Sequence, residues 1–280
     1  MLTAKLVAEL ACRITAFGYH EQEARSIART LVAHHNNNSY SQLMLHAADV
    51  GCVQDYQPFL QRLALGEPLQ YILGCTEFMG LNFACSPQAL IPRGDSEPLV
   101  ERALALLEQY NSPLVADICC GSGSYGLAVA ALAPAAQVDC CDISAAALEL
   151  ARRNAEQLGV AERVRFFCGD LATPLLQQGR RYHFIMSNPP YIASSQLSEL
   201  AVQLSFEPVL ALDGGADGLH FYRRLAMMLP PLLEHDGLLL LEHGDDQFDA
   251  VAAIFSEQGW SIKERLRDYG GRDRGLLGGI

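Results

Sequence analysis

No stretch of this chain is apolar for long enough to cross a bilayer. The first segment is broken by Lys5, Glu9 and Arg13, and the run Leu238 to Leu241 is short. The opening residues lack the succession of basic patch, apolar stretch and small-residue cleavage site that marks a secretory leader. A soluble, cytoplasmic protein with no membrane partner is expected. Positive charge is scarce: 20 Lys and Arg stand against 32 Asp and Glu, a net charge of −12. A broad nucleic-acid surface would want a basic stripe, so direct nucleic-acid binding is not expected, whereas a protein or small substrate is compatible. The nine cysteines include no C-x-x-C, and the chain has no internal repeat or low-complexity tract. The adjacent pairs Cys119-Cys120 and Cys140-Cys141 each end an apolar run, where successive side chains point to opposite faces. Only one thiol of each pair would reach a shared metal. The pairs read as small buried thiols, and no metal site is expected.

What the chain has is core. Half of its 280 residues are hydrophobic, enough for one large domain and a small one. Residues 1 to about 74 read as helical: Leu6, Val7, Leu10, Ile14 and Phe17 recur at helical spacing before Gly18. A second helix is expected over Glu21 to about Ala33, and a third over about Asp55 to Leu65. The pair His34-His35 has no third ligand at a metal-binding spacing and reads as a solvated helix end. Thr76-Glu77-Phe78 and Leu81-Asn82-Phe83 alternate around Met79-Gly80, which predicts a hairpin, and residues 98–110 return to helix. Beyond Leu114, short apolar runs alternate with helices. Strands are expected at Leu114–Ile118, Gln137–Cys141, Val164–Cys168, His183–Ser187 and Gly237–Glu242, with one helix capped by Ser144 and stopped by Gly159. That grammar predicts an α/β fold with a parallel, doubly wound sheet and sites at the strand C-terminal ends.

Two motifs fall at such ends. In Asp117-Ile118-Cys119-Cys120-Gly121-Ser122-Gly123-Ser124-Tyr125-Gly126 the glycines fit G-x-G-x-x-G, and Asp142 ends the next strand, placed to accept hydrogen bonds from ribose hydroxyls. Taken alone, this fits a dinucleotide enzyme or a structural glycine turn as well as S-adenosylmethionine. Asp117 ahead of the glycines favours S-adenosylmethionine, because its carboxylate suits the cationic amino group of the methionine part. Gly169-Asp170-Leu171, ending the third strand, would lie near the adenine. The second motif, Asn188-Pro189-Pro190-Tyr191, follows the apolar run Phe184–Ser187. Proline has no amide hydrogen and holds the residue before it extended. The Asn188 side-chain oxygen and the Pro189 carbonyl are thereby left as adjacent acceptors, with the Tyr191 ring beside them. Such a pair suits a planar NH2 group, for which a dehydrogenase has no use. An ordinary strand-ending Asn-Pro turn is the bland alternative. His183 and His243 read as structural.

With these stand Gly66-Glu67-Pro68-Leu69-Gln70-Tyr71-Ile72-Leu73-Gly74, then Phe78, Gly80, Phe83 and Leu90-Ile91-Pro92-Arg93. Phe206-Glu207-Pro208, Gly214-Gly215-Ala216-Asp217-Gly218-Leu219 and Gly271-Arg272-Asp273-Arg274 follow. From about Gly66 onward the chain resembles the HemK/PrmC-type glutamine N5-methyltransferases, which modify peptide-chain release factors. The resemblance implies a helical substrate-recognition domain over residues 1–74, a β-hairpin linker over 75–88 and a methyltransferase domain over 89–280 with a mostly parallel seven-stranded sheet. It implies transfer of a methyl group from S-adenosylmethionine to a glutamine side-chain nitrogen, in the Gly-Gly-Gln motif of a release factor. Matched by motif, Cys119, Cys120, Gly121, Ser122, Gly123, Asp142, Leu171 and Asn188 would join Asp117 and Asp170 in holding the cofactor. Asn188, Pro189, Pro190 and Tyr191 would hold the glutamine, with Asn188, Pro189 and Tyr191 catalytic. Two positions depart from the family pattern: Gly94-Asp95-Ser96-Glu97 replaces Pro-Glu-Thr-Glu, and Leu171 replaces a common aromatic residue. Alternatives on the same scaffold are methylation of another amide or amine, on a protein or small metabolite, and adenine or cytosine N-methylation. The last lacks a basic or target-reading insert here.

Overall fold

The computed structural model describes residues 3–45 and 50–280. Two compact units emerge from it: Met1–Gly74 with Ala201–Phe206, and Cys75–Leu200 with Glu207–Ile280.

The first unit is helical. It comprises α1 (Thr3–Thr15), α2 (Glu21–His35), α3 (Tyr40–Leu45), α4 (Gln57–Ala64) and α5 (Leu69–Leu73). The apolar stripe of α1 buries Leu6, Val7, Leu10 and Ile14 against Ile27, Leu31, Tyr56 and Leu60. Phe17 does not belong to that stripe. It lies beyond the helix end and is 39 % exposed, because the chain turns at Phe17-Gly18 before the next helical repeat. The short helices α3 and α5 were not expected, since five or six residues are too few to display a helical period. The excursion Ala201–Phe206 seats Val202 on the α4–α5 turn. A Cβ on Gly66 would come 2.7 Å from the Val202 side chain, so only glycine leaves room.

The second unit opens with the expected hairpin, β1 (Cys75–Phe78) and β2 (Leu81–Ala84), turned at Met79-Gly80 with both residues at positive φ. Then come α6 (Glu97–Leu107), β3 (Leu114–Ile118), α7 (Ser124–Leu132), β4 (Gln137–Asp142), α8 (Ala145–Gln157), β5 (Val164–Cys168), α9 (Thr173–Leu176), β6 (Tyr182–Ser187), α10 (His220–Met228), β7 (Leu233–Glu242), α11 (Phe248–Glu257), β8 (Ser261–Arg267) and β9 (Asp273–Gly279). Seven strands form one sheet in the order β5-β4-β3-β6-β7-β9-β8, parallel from β5 to β7 and antiparallel at β9 and β8. The α/β sheet is therefore the mostly parallel, seven-stranded one that the family pattern implied. The residues alone had not singled out β8 or β9, and β7 begins four residues before the expected Gly237.

Both faces of the sheet are covered, so its strands are apolar on both sides. Val115, Val138, Cys140, Phe184, Met186 and Leu240 pack on one face; Ala116, Ile118, Cys141, Ile185, Leu239 and Leu241 pack on the other. Cys140 and Cys141 split between the two faces as strand alternation requires. Cys119 and Cys120 lie beyond the end of β3, in the loop, and divide between the same two clusters because the backbone turns at Cys119; all nine thiols are free. Helix α7 lies close on the sheet because Gly126 has no side chain. A Cβ there would sit 2.9 Å from Cys140 Sγ, 2.9 Å from Val138 Cγ1 and 3.0 Å from Asp117 Cβ. Gly126→Ala should therefore overpack a two-sided core and destabilise the protein by about 1–3 kcal/mol. Urea denaturation reads this directly, and an unchanged midpoint would show that the contact relaxes freely.

Candidate active site

The chain order of the sheet reverses at β3, which has β4 on one side and β6 on the other. Loops leaving the C-terminal ends of β3 and β6 diverge and leave a crevice between them, the usual ligand position in such sheets. A cavity of about 1080 Å³, open solvent at its mouth included, occupies this place. Its wall contains Asp117, Cys119, Cys120, Gly121, Ser122, Asp142, Asp170, Leu171, Asn188 and Pro190. Ten residues singled out by motif, from four strand ends, thus meet at one cavity. Gly123, Pro189 and Tyr191 are not in the wall: Gly123 caps α7, Pro189 is buried, and Tyr191 is half-buried.

Each strand end contributes in its own way. At β3 the backbone turns sharply, with Cys119 in the left-handed region at φ 60 beside Gly121 at φ 55. The Asp142 carboxylate fastens this loop: Oδ2 accepts from the Gly121 amide at 2.8 Å, and Oδ1 accepts from Ser144 at 2.8 Å. Asp117 lies deeper, 1 % exposed, and accepts from the Gly126 amide at 2.8 Å. Among the described residues neither carboxylate has a cationic partner. Burial pushes Asp117 up to about 7 and raises Asp142 as well, although the amides bound to each pull back. Two poorly compensated carboxylates on one cavity favour a ligand carrying a positive charge and hydroxyl groups. They oppose the pyrophosphate of a dinucleotide. Asp170 differs from both, since Arg224 of α10 holds its carboxylate with both Nη groups, one at 3.1 Å.

The Asn188 turn is immobilised from behind. The Tyr191 carbonyl accepts from Gln247 Nε2 at 2.9 Å, and two glycines press against the Tyr191 backbone. A Cβ on Gly218 would lie 2.4 Å from the Tyr191 carbonyl oxygen, and one on Gly214 would lie 2.7 Å from Tyr191 Cα. That contact is the physical reason for Gly214 and Gly218, while Gly215, at φ 86, would meet the His220 side chain instead. Among the described residues no group hydrogen-bonds the Asn188 side-chain amide, so both its atoms remain available to a ligand. Beneath the turn, Ser187 donates its hydroxyl to the Ile118 carbonyl at 2.7 Å, tying β6 to β3.

Sequence reasoning missed a polar cluster beside this turn. Leu241 pairs with Ser187, so Glu242 ends β7 next to Asn188. It is 2 % exposed and accepts from the Ser96 hydroxyl at 2.6 Å and from the Tyr125 hydroxyl, and both donors line the cavity. Burial raises its carboxyl, while these donors and Arg274 draw it back. A lone glutamate at a strand end carries no motif, so no sequence signal marked it. The histidines are structural: His183 accepts from the Leu114 amide at 3.1 Å, and His243 is buried with Nδ1 2.7 Å from the Gly244 carbonyl. Among the described residues no three His, Cys, Asp or Glu side chains gather as a metal cluster, and no helix is long and apolar enough to cross a membrane.

A doubly wound sheet with a glycine loop, acidic strand ends and an Asn-Pro-Pro-Tyr turn on one cavity defines a class I methyltransferase. The methyltransferase small domain family matches residues 101–208, and the PrmC N-terminal domain matches residues 7–74. The likeness to the family therefore begins well before Gly66. The chain is 44 % identical over 219 residues to the release factor glutamine methyltransferase of Moorella thermoacetica, spanning 78 % of this chain and 77 % of that one. It is 40 % identical over 250 residues to the protein of the same name from Bordetella pertussis, spanning 88 % and 92 %. A methyltransferase structure from Pyrococcus furiosus shares the fold at a TM-score of 0.51 and 19 % identity, over 72 % of this chain and 90 % of that one. The chain belongs to the family of release factor glutamine methyltransferases, enzymes that use S-adenosylmethionine.

The raised Asp117 gives a test of the site's electrostatics. The unfolded chain loses this proton near the ordinary aspartate value, about 4, whereas the folded chain holds it to about 7. Its contribution to stability is full below about pH 4 and is lost as pH rises to about 7. Relative to Asp117→Asn, the wild type should lose stability across that window and level off above it. Urea denaturation over a pH series would show this, and a constant difference would contradict it.

Proposed function

We propose that this protein transfers a methyl group from S-adenosylmethionine to the side-chain amide nitrogen of a glutamine in peptide-chain release factors. The observation that carries the reading is the Asn188 turn, rigidly backed and unbonded at its amide, on the same cavity as two carboxylates that lack cations. The residues fit the cofactor. Asp117 offers a buried negative charge for its ammonium group, Asp142 offers acceptors for ribose hydroxyls, and the loop Cys119 to Gly123 lets backbone come close. Asp170 would act on the adenine side while held by Arg224, with Leu171 packing there in place of an aromatic ring.

When bound, S-adenosylmethionine supplies a methyl group made electrophilic by its sulfonium. The protein must then improve a poor nucleophile, because an amide lone pair is delocalised into its carbonyl. The Asn188 oxygen accepts one N–H of the glutamine amide, and the Pro189 carbonyl accepts the other. Pro190 and Tyr191 bound the plane in which the amide lies, which fixes nitrogen on the line of attack. As nitrogen takes on positive charge, the two oxygens stabilise it without reorganising. The methylated nitrogen is acidic enough to release its proton without a dedicated base. Residues 7–74 match a family's own N-terminal domain and would recognise the protein substrate. The target glutamine would be that of the Gly-Gly-Gln motif, and the working compartment the cytoplasm.

Mass spectrometry of release factors after incubation with the protein and S-adenosylmethionine tests the reaction, and an unmodified glutamine would sink it. Asn188→Ala should fold normally and lower kcat by about 100- to 1000-fold. Tyr191→Ala should cost less, because the acceptors stay in place. An Asn188→Ala variant at the wild-type rate would remove the turn from the mechanism. Asp142→Ala should weaken cofactor binding by about 1.5–3 kcal/mol. Calorimetry showing tight NAD binding in its place would overturn the cofactor reading.

A further inference from the structure

One wall of the cavity has no helix or strand of its own. Between the hairpin and α6, the segment Cys85–Arg93 runs as turn and coil, yet Gln88 to Arg93 all line the cavity. Ala89 packs on Ala147 and Leu150 of α8, and its Cβ is 3.9 Å from where a Gly121 Cβ would stand. The segment therefore lies over the glycine loop. An irregular covering segment has many conformations to lose, so something must hold it if the wall is to be preformed.

Two buried polar side chains hold it, one at each end. Asn154 of α8 is fully buried. It accepts from the Ala84 amide at 2.7 Å and donates to the carbonyls of Ala84 at 3.3 Å and Ser122 at 3.0 Å. A single side chain thus joins the end of β2 to the glycine loop. Glu207 is 3 % exposed. Its Oε2 accepts from the Ile91 amide at 3.0 Å, and its Oε1 pairs with Nη2 of Arg93. The chain continues from it into Pro208, Leu210 and Ala211, a further part of the cavity wall. Neither Asn154 nor Glu207 is itself in the wall, so neither touches a ligand there.

We propose that Asn154 and Glu207 are positioning residues that pin Cys85–Arg93 as a preformed wall, and that this pinning sets a share of the affinity for S-adenosylmethionine. The ligand named here rests on the functional reading above. If a pin is lost, the wall samples open forms, and the apparent Kd rises as the reciprocal of the closed fraction. Chemistry at saturating ligand is untouched, since Asn188 and its backing stay in place.

Calorimetry with S-adenosylmethionine on the full-length protein tests this. Glu207→Ala should raise Kd about tenfold. Glu207→Gln keeps an oxygen for the Ile91 amide and should fall between, with kcat at saturating cofactor close to wild type. Hydrogen exchange of the Ile91 amide, measured without ligand, should be slow in the wild type and faster in both variants. Folded Glu207→Ala and Glu207→Gln proteins with the wild-type Kd would overturn the proposal, as would a fall in kcat at unchanged Kd. Should Glu207→Ala not fold, Glu207→Gln decides: a raised Kd supports the pin, and an unchanged one ends it. A wild type that binds the cofactor but leaves release factors unmodified sinks the functional reading, and the Kd series still decides the pin. A wild type that binds no S-adenosylmethionine overturns both.

Discussion

β3 and β6 run side by side and parallel, paired from Val115–Phe184 to Ile118–Ser187, with β4 on the far side of β3. Because the chain order reverses there, the loops after β3 and β6 leave in opposite directions, and a cavity opens where they part. The glycine loop and the Asn188 turn owe their meeting to this pairing. Ser187, bonded to the Ile118 carbonyl, draws the two strand ends together just before the cavity-lining Cys119 and Asn188. The close approach of α7, which Gly126 permits, keeps the loop after β3 tight against the sheet. Side chains complete the stiffening of both motifs: the Asp142 carboxylate holds the Gly121 amide, and Gln247 holds the Tyr191 carbonyl.

Electrostatic contrast separates Asp117 and Asp142 from the other acids near the sheet. Asp139 is as buried as Asp117, but Arg165 bonds it at 2.7 Å and the Tyr182 hydroxyl at 2.8 Å. Asp170 has Arg224, Glu207 has Arg93 and the Ile91 amide, and Glu242 has two hydroxyls. Asp117 and Asp142 have only backbone amides. Two carboxylates on one cavity that are held only by backbone amides suit a ligand carrying positive charge. The raised Asp117 is the local cost of that arrangement.

Much of this was legible in the residues. Strand positions followed from short apolar runs, because strands buried on both faces need no polar alternation. The cap at Ser144 and the stop at Gly159 followed from capping chemistry and are where expected, with Ser144 Oγ accepting from Ala147 at 3.1 Å. Phe17 departs from the expected stripe because the helical period runs on in the sequence after the helix has ended at Thr15. β8 is hidden in the sequence because it is an edge strand whose exposed positions are charged, and β9, though buried between β7 and β8, because three of its seven residues are glycine.

The sequence by itself determined the local chemistry: which turns are rigid, which loop is bare of side chains, and which residues carry acceptors or charge. These properties belong to residue types at short spacing, so they are readable one segment at a time. Only the tertiary structure decided that Asp117, Asp142, Asp170 and Asn188 share one cavity, that Glu242 stands beside the Asn188 turn, and that Asn154 and Glu207 bracket the wall. Each of those facts is a contact between strand ends or helices far apart in the chain. Such contacts are set by sheet order and register, and a linear sequence does not display either.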